Sequence, residues 1–261
     1  MGTHVKEPVD ILRPWSVTAR AGMLIETGLA GNLAVPKVSA KTTPSWQSTE
    51  ATQIAPSQPI VVQIALSPKT VWDVVVFSRQ LALQANADRF VGRELLRTIG
   101  TALDQGVLSG TGASGQPQGL LNTTGIQTQS GTTLNTGVST MKQKSAEANV
   151  TDENIAFLST PAVRTLLEGR ERATGGGRFV WDQDKVADRR AYVSIDVPTA
   201  TMVCGDWSLI YLGIWGTGVT LEINPCDHAG FKAGLIQARM LISCDVAVLH
   251  PSSFIVATSI T

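Results

Sequence analysis

Three short patterns in this sequence contain residue types that could do chemistry. The stretch GTGASG at residues 110–115 matches the GxGxxG fingerprint of dinucleotide-binding loops. The stretch CDH at residues 226–228 could supply one edge of a metal site. Three aspartates between residues 182 and 188 approach the spacing of a calcium-binding loop. Each pattern therefore has to be judged by whether its surroundings fit the chemistry.

None of the three patterns has the surroundings that its chemistry requires. The glycine pattern follows a predicted helix, whereas phosphate binding needs a strand, then the loop, then a helix N-terminus. The CDH stretch has no second ligand pair nearby, and the aspartates lack the glycine and distal glutamate of a calcium loop. P-loop and GxSxG motifs are also absent. The sequence thus predicts no catalytic, cofactor-binding or metal-binding residue, and we expect a protein that is not an enzyme.

One long predicted helix precedes the glycine pattern and dominates the middle of the chain. Apolar residues recur at steps of three and four between residues 91 and 107, which predicts a helix over about residues 86–108 with one broad apolar face. Gly92 and Gly100 each cost about 1 kcal/mol of helix propensity relative to alanine. Two such glycines predict that another segment of backbone comes close to this helix.

Composition excludes several classes of protein. The chain has 261 residues with 21 basic and 21 acidic side chains, so a bulk positive charge for binding nucleic acid is absent. Charged residues make up 16% of the chain, below the roughly 25% of typical domains, and this indicates a surface covered in part by something else. A neutral chain also has little net repulsion between copies of itself.

The cysteines and the apolar runs indicate the compartment. Three cysteines without a CxxC pair argue against a disulfide framework and favour a reducing environment. No apolar run approaches the roughly 18 residues needed to cross a bilayer, and MGTHVKEPVD lacks the core of a signal peptide. We therefore expect a cytosolic origin and no contact with a membrane.

The order of predicted elements is β, long helix, mixed α and β, then β again. The late strands are predicted over residues 193–197, 201–204, 210–215, 219–223, 235–242 and 246–249. This order favours an α+β fold over a regular βαβ alternation, with the first and last β segments pairing. Residues 1–35 have too little periodicity for a core of their own and are predicted to be an arm. Residues 36–60 contain four prolines, which exclude helix and central strand. They are either a disordered linker or a two-stranded excursion that carries Trp46 and needs a partner surface.

Two groups of side chains suggest contact surfaces. Arg164, Arg170 and Arg172 are interleaved with glutamates, and mixed signs indicate a salt-bridged surface or a subunit contact. Tryptophans more often anchor a core or an interface than form a ligand site. The tryptophans considered in this way are Trp46, Trp72, Trp181, Trp207 and Trp215.

Several motifs, taken in order, resemble the major capsid proteins of tailed bacteriophages with the Hong Kong 97-type (HK97-like) fold. Asp104 is followed by LSGTG and QPQGLL, which resemble the end of the family's spine helix and the loop after it. The motifs LSPKT at residues 66–70 and VFSRQL at residues 76–81 resemble the approach to that helix. GDW at residues 205–207 and AVLHP at residues 247–251 resemble the late strands.

The resemblance implies a division of the chain. It implies an N-terminal arm at residues 1–35 and an extended β-hairpin loop at residues 36–60, with its tip near Trp46. A peripheral domain with the spine helix would follow at residues 61–119, then an axial domain at residues 120–234. Residues 235–261 would return to the peripheral domain.

The resemblance also implies a function and partners. The protein would self-assemble as pentamers and hexamers into an icosahedral shell around viral double-stranded DNA, in the host bacterial cytoplasm. Its partners would be identical subunits, a portal and decoration proteins, with non-specific contact to the packaged DNA and no cofactor. The residues expected at subunit interfaces are Lys41, Trp46, Glu50, Arg164, Arg170 and Arg172.

Two departures from the family pattern lead to further expectations. No N-terminal scaffolding segment is recognisable, so a mature, scaffold-independent or trimmed chain is expected. Members that cross-link use a lysine and an asparagine; Lys37 and Lys41 lie in the loop, but residues 235–246 contain no asparagine. We therefore predict no covalent cross-link. Two other functions stay open: an encapsulin-like cellular nanocompartment of the same fold, and a soluble β-rich hydrolase or sugar-binding protein.

Overall fold

The computed structural model describes most of the chain. It describes residues 16–40, 42–47, 49, 57–84, 87–130, 134–172, 175–225 and 233–260, with backbone alone at residues 39, 40, 87, 88, 134, 135 and 152. Within these residues the helices are α1 (Val17–Ala21), α2 (Arg79–Ala82), α3 (Ala87–Ser109), α4 (Leu134–Glu147) and α5 (Pro161–Glu168).

The strands form three sheets. They are β1 (Leu24–Leu29), β2 (Leu33–Ala40), β3 (Ile60–Leu66), β4 (Lys69–Ser78), β5 (Gln127–Ser130), β6 (Ile155–Ser159), β7 (Trp181–Asp182), β8 (Lys185–Val186), β9 (Arg189–Val193), β10 (Met202–Asp206), β11 (Ile210–Asn224), β12 (Leu235–Val248) and β13 (Ile255–Thr258). One sheet has the order β1-β11-β12-β4, a second the order β5-β13-β10-β6-β9-β8-β7, and β2 and β3 pair with each other. The mixture of helices and sheets confirms the α+β prediction.

Helix α3 packs against one face of the four-stranded sheet. The predicted helix over residues 86–108 agrees with its observed bounds, and its apolar stripe from Val91 to Val107 is buried. Opposite the stripe lie the inward side chains of β12, among them Met240 and Ile242. Strands β4 and β12 pair antiparallel along the whole of β4, which confirms that the first and last β segments meet. This helix-on-sheet layer is the larger of the two main cores.

The two strands of this sheet that come last in the chain, β11 and β12, are longer than the sequence predicts. Strand β11 has 15 residues and β12 has 14, where breaks were expected in each. The pairing register shifts between Trp215 and Thr220, and Gly216 and Gly218 there have φ angles of 68° and 88°. A bulge of this kind bends a strand without ending it.

The seven-stranded sheet surrounds a second core. Its central strands β6 and β10 are buried at every residue, as expected for strands covered on both faces. The prediction of a strand from Val193 to Val197 is wrong, because β9 begins at Arg189 and ends at Val193. Ser194 then bonds to the backbone and carboxylate of Asp196 at 3.1 and 3.0 Å, and this local turn competes with continued pairing.

The sheets divide the chain differently from the boundaries expected at residues 120 and 234. Strand β11 lies within residues 120–234, yet it pairs with β12 beside β4. Strand β13 lies after residue 234, yet it pairs with β10 and β5 in the other sheet. The chain therefore crosses between the two layers more often than a division into consecutive segments suggests.

The sequence predicts that another backbone segment comes close to the glycines of α3. Such an approach occurs within about one turn of the C-terminal end of this helix. Nothing lies within 4 Å of a Cβ placed on Gly92, so that part of the prediction is wrong. A Cβ on Gly106 would meet the Pro117 ring at 3.1 Å, and one on Gly110 would meet the Pro117 carbonyl oxygen at 2.3 Å. Pro117 belongs to the loop after the helix, which folds back onto the last turn of α3.

Part of the predicted N-terminal arm is packed into the first core. Residues 1–15 lie outside the described residues, but Ser16, Thr18, Ala19 and Met23 are buried. Strand β1 then pairs parallel with β11. The described part of the predicted arm therefore contacts α3 and β11 of the same chain.

Candidate assembly interface

The hairpin of β2 and β3 is held at its base by the four-stranded sheet. Its strands pair antiparallel from Leu33 opposite Leu66 to Ala40 opposite Ile60. Near the base, Leu66 packs with Tyr211 and Trp215, on the sheet face opposite to α3. The turn after β3 is fixed by Asp245, which accepts hydrogen bonds from the Ser67 amide at 3.0 Å and Lys69 Nζ at 2.6 Å.

The far half of the hairpin has apolar side chains and no cover. Val38, Ile60, Val61 and Val62 are 51%, 59%, 54% and 48% exposed. Successive strand residues point to opposite faces, so Val61 and Val62 expose apolar surface on both sides of the ribbon. A two-stranded ribbon is marginal in water, and exposed apolar surface of this kind marks a contact site. The hairpin thus has the character of an interface segment.

The hairpin tip contains the residues expected at a subunit contact. Trp46 is 100% exposed. The two arms of the loop are connected beyond the strands by the Ser57 hydroxyl, which accepts from the Thr43 amide at 3.2 Å. Lys41 and Glu50 lie outside the described residues. Of the three loop candidates, the structure therefore places Trp46 alone, and it places that side chain in solvent.

The arginine group at α5 forms a salt-bridged surface. Arg164 contacts Glu168 at 2.7 Å and Asp184 at 3.4 Å, and its guanidinium lies 5.7 Å from the centre of the Trp181 ring. Arg172 contacts Asp188 at 3.5 Å, and Arg170 is exposed nearby. Exposed pairs of this kind contribute at most about 1 kcal/mol each. The aspartates that resemble a calcium loop are therefore engaged, in part, with arginines.

A second exposed apolar surface lies on β4, where the sequence drew attention to Trp72 but not to its valine neighbours. Strand β4 is at the edge of its sheet, and its outward side chains Trp72, Val74 and Val76 are 64%, 37% and 51% exposed. The run from Val71 to Phe77 is apolar on both faces, which is typical of a fully buried strand. That pattern on an edge strand was the available signal for a contact surface.

Asp104 connects α3 to the start of the described chain. Its carboxylate accepts hydrogen bonds from Ser16 Oγ at 2.8 Å and from the Val17 amide at 2.6 Å. It also accepts hydrogen bonds from the Thr18 amide at 3.2 Å and from the Thr18 hydroxyl. Burial raises the pKa of this carboxyl above its ordinary 3.8, and the hydrogen bonds lower it by less. The sequence marked Asp104 as a motif residue, but its partners, more than 80 positions away, gave no signal.

The glycine-rich loop after α3 is a tight turn that does not resemble a phosphate-binding loop. The Gly112 amide donates to the Pro117 carbonyl at 3.0 Å, and the Gly119 amide donates to the Gly110 carbonyl at 2.9 Å. The loop follows the C-terminus of α3, as the sequence indicated. Its glycines allow close contact between two backbone segments.

The described part of the chain has no metal-ligand cluster and no helix that could span a membrane. In that part no group of three or more histidine, cysteine, aspartate or glutamate side chains is placed to hold a metal ion. The helices within it are all too short or too polar to span a bilayer.

Comparison with known proteins identifies the class that this fold and these surfaces define. The sequence profile of the phage capsid family matches residues 15–259, so the chain belongs to the phage capsid family. It is 29% identical over 256 residues to the major capsid protein of Halomonas phage phiHAP-1, covering 95% of this chain and 41% of that relative. The chain therefore spans about two fifths of the length of the curated relative it matches.

Solved structures show the same fold at low sequence identity. The capsid of the native GTA particle aligns with a TM-score of 0.74 at 12% identity, over 99% of this chain and 93% of that one. The structure from Mycobacterium phage Adephagia gives 0.74 at 14% identity, over 93% and 89%. That from Microbacterium phage Oxtober96 gives 0.72 at 16% identity, over 93% and 90%. These matches confirm the Hong Kong 97-type fold that the sequence motifs suggested.

Proposed function

We propose that this chain is a major capsid protein that self-assembles as pentamers and hexamers into an icosahedral shell around viral double-stranded DNA. The observation that carries the proposal is the hairpin of β2 and β3, whose far half exposes apolar side chains on both faces. The chain belongs to the phage capsid family, and in a capsid a neighbouring subunit would cover such a hairpin. The shell forms the virion capsid and is assembled in the bacterial cytoplasm.

In this mechanism the shell closes through many modest contacts. The hairpin lies across an adjacent subunit, and Trp46 at its tip anchors the contact, with Lys41 and Glu50 beside it. Large obligate interfaces bury about 2,000 Å² or more, and each Å² of apolar area contributes about 25 cal/mol, offset by ordering costs. Symmetry repeats the same contact at each subunit. No catalytic step is involved.

The domain roles follow the same proposal. Residues 1–35 act as the arm and residues 36–60 as the extended loop, while α3 is the spine of a peripheral domain. The seven-stranded sheet forms most of the axial domain at the centre of each capsomer. Arg164, Arg170 and Arg172 contact a neighbouring subunit there, since their salt-bridged surface is exposed. A portal and decoration proteins complete the set of partners.

The proposal is tested by the size of the purified protein. Sedimentation velocity and negative-stain electron microscopy are expected to show closed particles of uniform diameter. A species of 27.7 kDa, the mass of one chain, at all concentrations would refute assembly and favour a soluble β-rich enzyme or sugar-binding protein. Closed particles that contain protein cargo and no nucleic acid, after expression in the native host, would favour the nanocompartment function.

A matched pair of variants tests the role of the hairpin. Deletion of residues 41–56 removes the tip and leaves the paired strands β2 and β3 intact. We expect capsomers that do not close into shells, because the contact between neighbours is lost. The control replaces Glu94 with glutamine, which changes charge on an exposed part of α3 outside the hairpin, and should assemble normally. Normal shells from the deletion variant would refute the clamp.

A further inference from the structure

One exposed face of α3 carries a row of arginines. Arg89, Arg93 and Arg97 are four residues apart and all are exposed, whereas the apolar stripe on the opposite face of the helix is buried. A rise of about 1.5 Å per residue separates neighbouring arginines by about 6 Å along the axis and spreads the row over about 12 Å. The row follows an i, i+4 ridge, which is inclined to the helix axis by about 26°, and it lies on a rigid element.

The row has no opposing charge within the described residues. None of the three guanidinium groups lies within 4.0 Å of a described carboxylate, whereas Arg164, Arg172 and Arg239 each have such a partner. The acidic residues of α3 other than the buried Asp104 are Asp88 and Glu94, so this helix carries three arginines against two such acids. Because the whole chain is neutral, this is a local excess that the rest of the molecule does not explain.

The row and the hairpin lie on opposite sides of the four-stranded sheet. The base of the hairpin packs with Tyr211 and Trp215 on one face, whereas α3 packs on the other face with Leu212 and Ile214. In a shell, one side of the subunit faces the contents and the other faces outward. If the hairpin reaches over neighbours on one side, the arginine row is presented on the other.

We propose that Arg89, Arg93 and Arg97 form a phosphate-contacting track for the packaged double-stranded DNA. The inference rests on the proposed capsid function and assigns the DNA contact to particular residues. Double-stranded DNA carries about one negative charge per 1.7 Å of axis, so about seven phosphates lie along the 12 Å of the row. Guanidinium groups suit this contact because they donate hydrogen bonds in a planar fork that matches phosphate oxygens.

The contact is weak, salt-dependent and independent of base sequence. Each phosphate contact contributes about 0.9 to the slope of log affinity against log salt, so three arginines contribute about 2.7. That slope corresponds to a loss of about 40-fold in affinity between about 50 and 200 mM salt. Repetition over every subunit of a shell makes such a contact effective while leaving the DNA free to move.

The experiment measures binding of a short fluorescein-labelled DNA duplex of mixed sequence by fluorescence anisotropy. It uses the full chain in its unassembled fraction, over a series of salt concentrations. The variant carries Arg89→Gln, Arg93→Gln and Arg97→Gln. The matched control carries Arg178→Gln, Arg190→Gln and Arg239→Gln, three other exposed arginines, and so has the same net charge.

We expect the row variant to lose about 2.7 from the salt slope and the control to keep the wild-type slope. The single variant Arg93→Gln should lose about 0.9, which gives a second reading if the triple variant folds poorly. Equal effects of the two triple variants would overturn the inference in favour of bulk charge. Unchanged DNA binding with altered assembly of the row variant would overturn it in favour of a contact with a second copy.

Electron microscopy of the same preparations separates this inference from the proposed function. If the wild type forms shells and the row variant binds DNA as the wild type does, the inference alone fails. If the wild type forms no shells, the proposed function fails whatever the salt slopes are. Shells of normal size from the row variant, together with the reduced slope, are the expected result.

Discussion

Replacing Asp104 with alanine should destabilise the subunit by several kcal/mol, about 3 in net terms. The carboxylate is 1% exposed and accepts four hydrogen bonds from residues 16–18. Truncation leaves buried donors without an acceptor, and each such donor costs about 1–3 kcal/mol. Removal of the desolvation cost of a buried charge offsets part of this loss. We expect a net decrease of about 3 kcal/mol in the free energy of unfolding.

The assay is urea unfolding of unassembled subunits, followed by far-ultraviolet circular dichroism. For a chain of this size, 1 kcal/mol corresponds to about 2–4 °C in Tm, so a decrease of about 6–12 °C is the thermal equivalent. The matched control is Glu94→Ala, which removes an exposed carboxyl group from the same helix and should change stability by less than about 0.5 kcal/mol. An Asp104→Ala variant as stable as that control would refute the anchoring role.

The same carboxyl group predicts a pH dependence of defined sign. Burial raises the folded-state pKa of Asp104 above 3.8. Between the unfolded and the folded pKa values, the carboxyl group is therefore protonated more often in the folded state than in the unfolded state. The stability linked to this group is therefore present below the unfolded pKa and lost as pH rises through the folded pKa. The advantage of the wild type over Asp104→Asn should grow on acidification into that interval. An advantage that shrinks there would contradict the sign.

Three further predictions concern the loop, the hairpin tip and covalent bonding. Gly110→Ala should cost more than about 2 kcal/mol by urea unfolding, because a Cβ would lie 2.3 Å from the Pro117 carbonyl oxygen; wild-type stability would contradict this. Trp46→Ala should leave subunit stability unchanged but raise the concentration needed for assembly about tenfold or more by light scattering, since Trp46 is fully exposed in the subunit; unchanged assembly would remove it as an anchor. Boiled particles should run as single chains of 27.7 kDa on denaturing gels, and ladders would refute the predicted absence of cross-links through Lys37 or Lys41.

Local patterns were sufficient to predict the long helix and the chain order. The spacing of apolar residues from Val91 to Val107 predicted α3 to within one residue at each end, because both the periodicity and the glycines after it are local signals. The pairing of β4 with β12 followed from the order of elements. The resemblance of motifs to capsid proteins then supplied the fold family, which composition and periodicity alone did not.

Features that depend on distant partners were missed or misplaced. The continuity of β11 through Gly216 and Gly218 depends on β12 holding both halves of the strand in one ladder. The bonds from residues 16–18 to Asp104 join segments more than 80 positions apart. Apart from Trp72, the exposed face of β4 was missed because its sequence does not differ from that of a buried strand. In each case, the missing information was the identity of the neighbour across the sheet or the helix.

The most direct test of the account is a cryo-electron microscopy reconstruction of particles assembled from the purified chain. We predict a closed icosahedral shell in which the far half of the hairpin, including Val61 and Val62, is covered by an adjacent subunit, with the exposed face of α3 toward the interior. A hairpin that stays in solvent within a closed shell, or a preparation that contains single chains and no closed particles, would contradict the claim that neighbouring copies complete this fold.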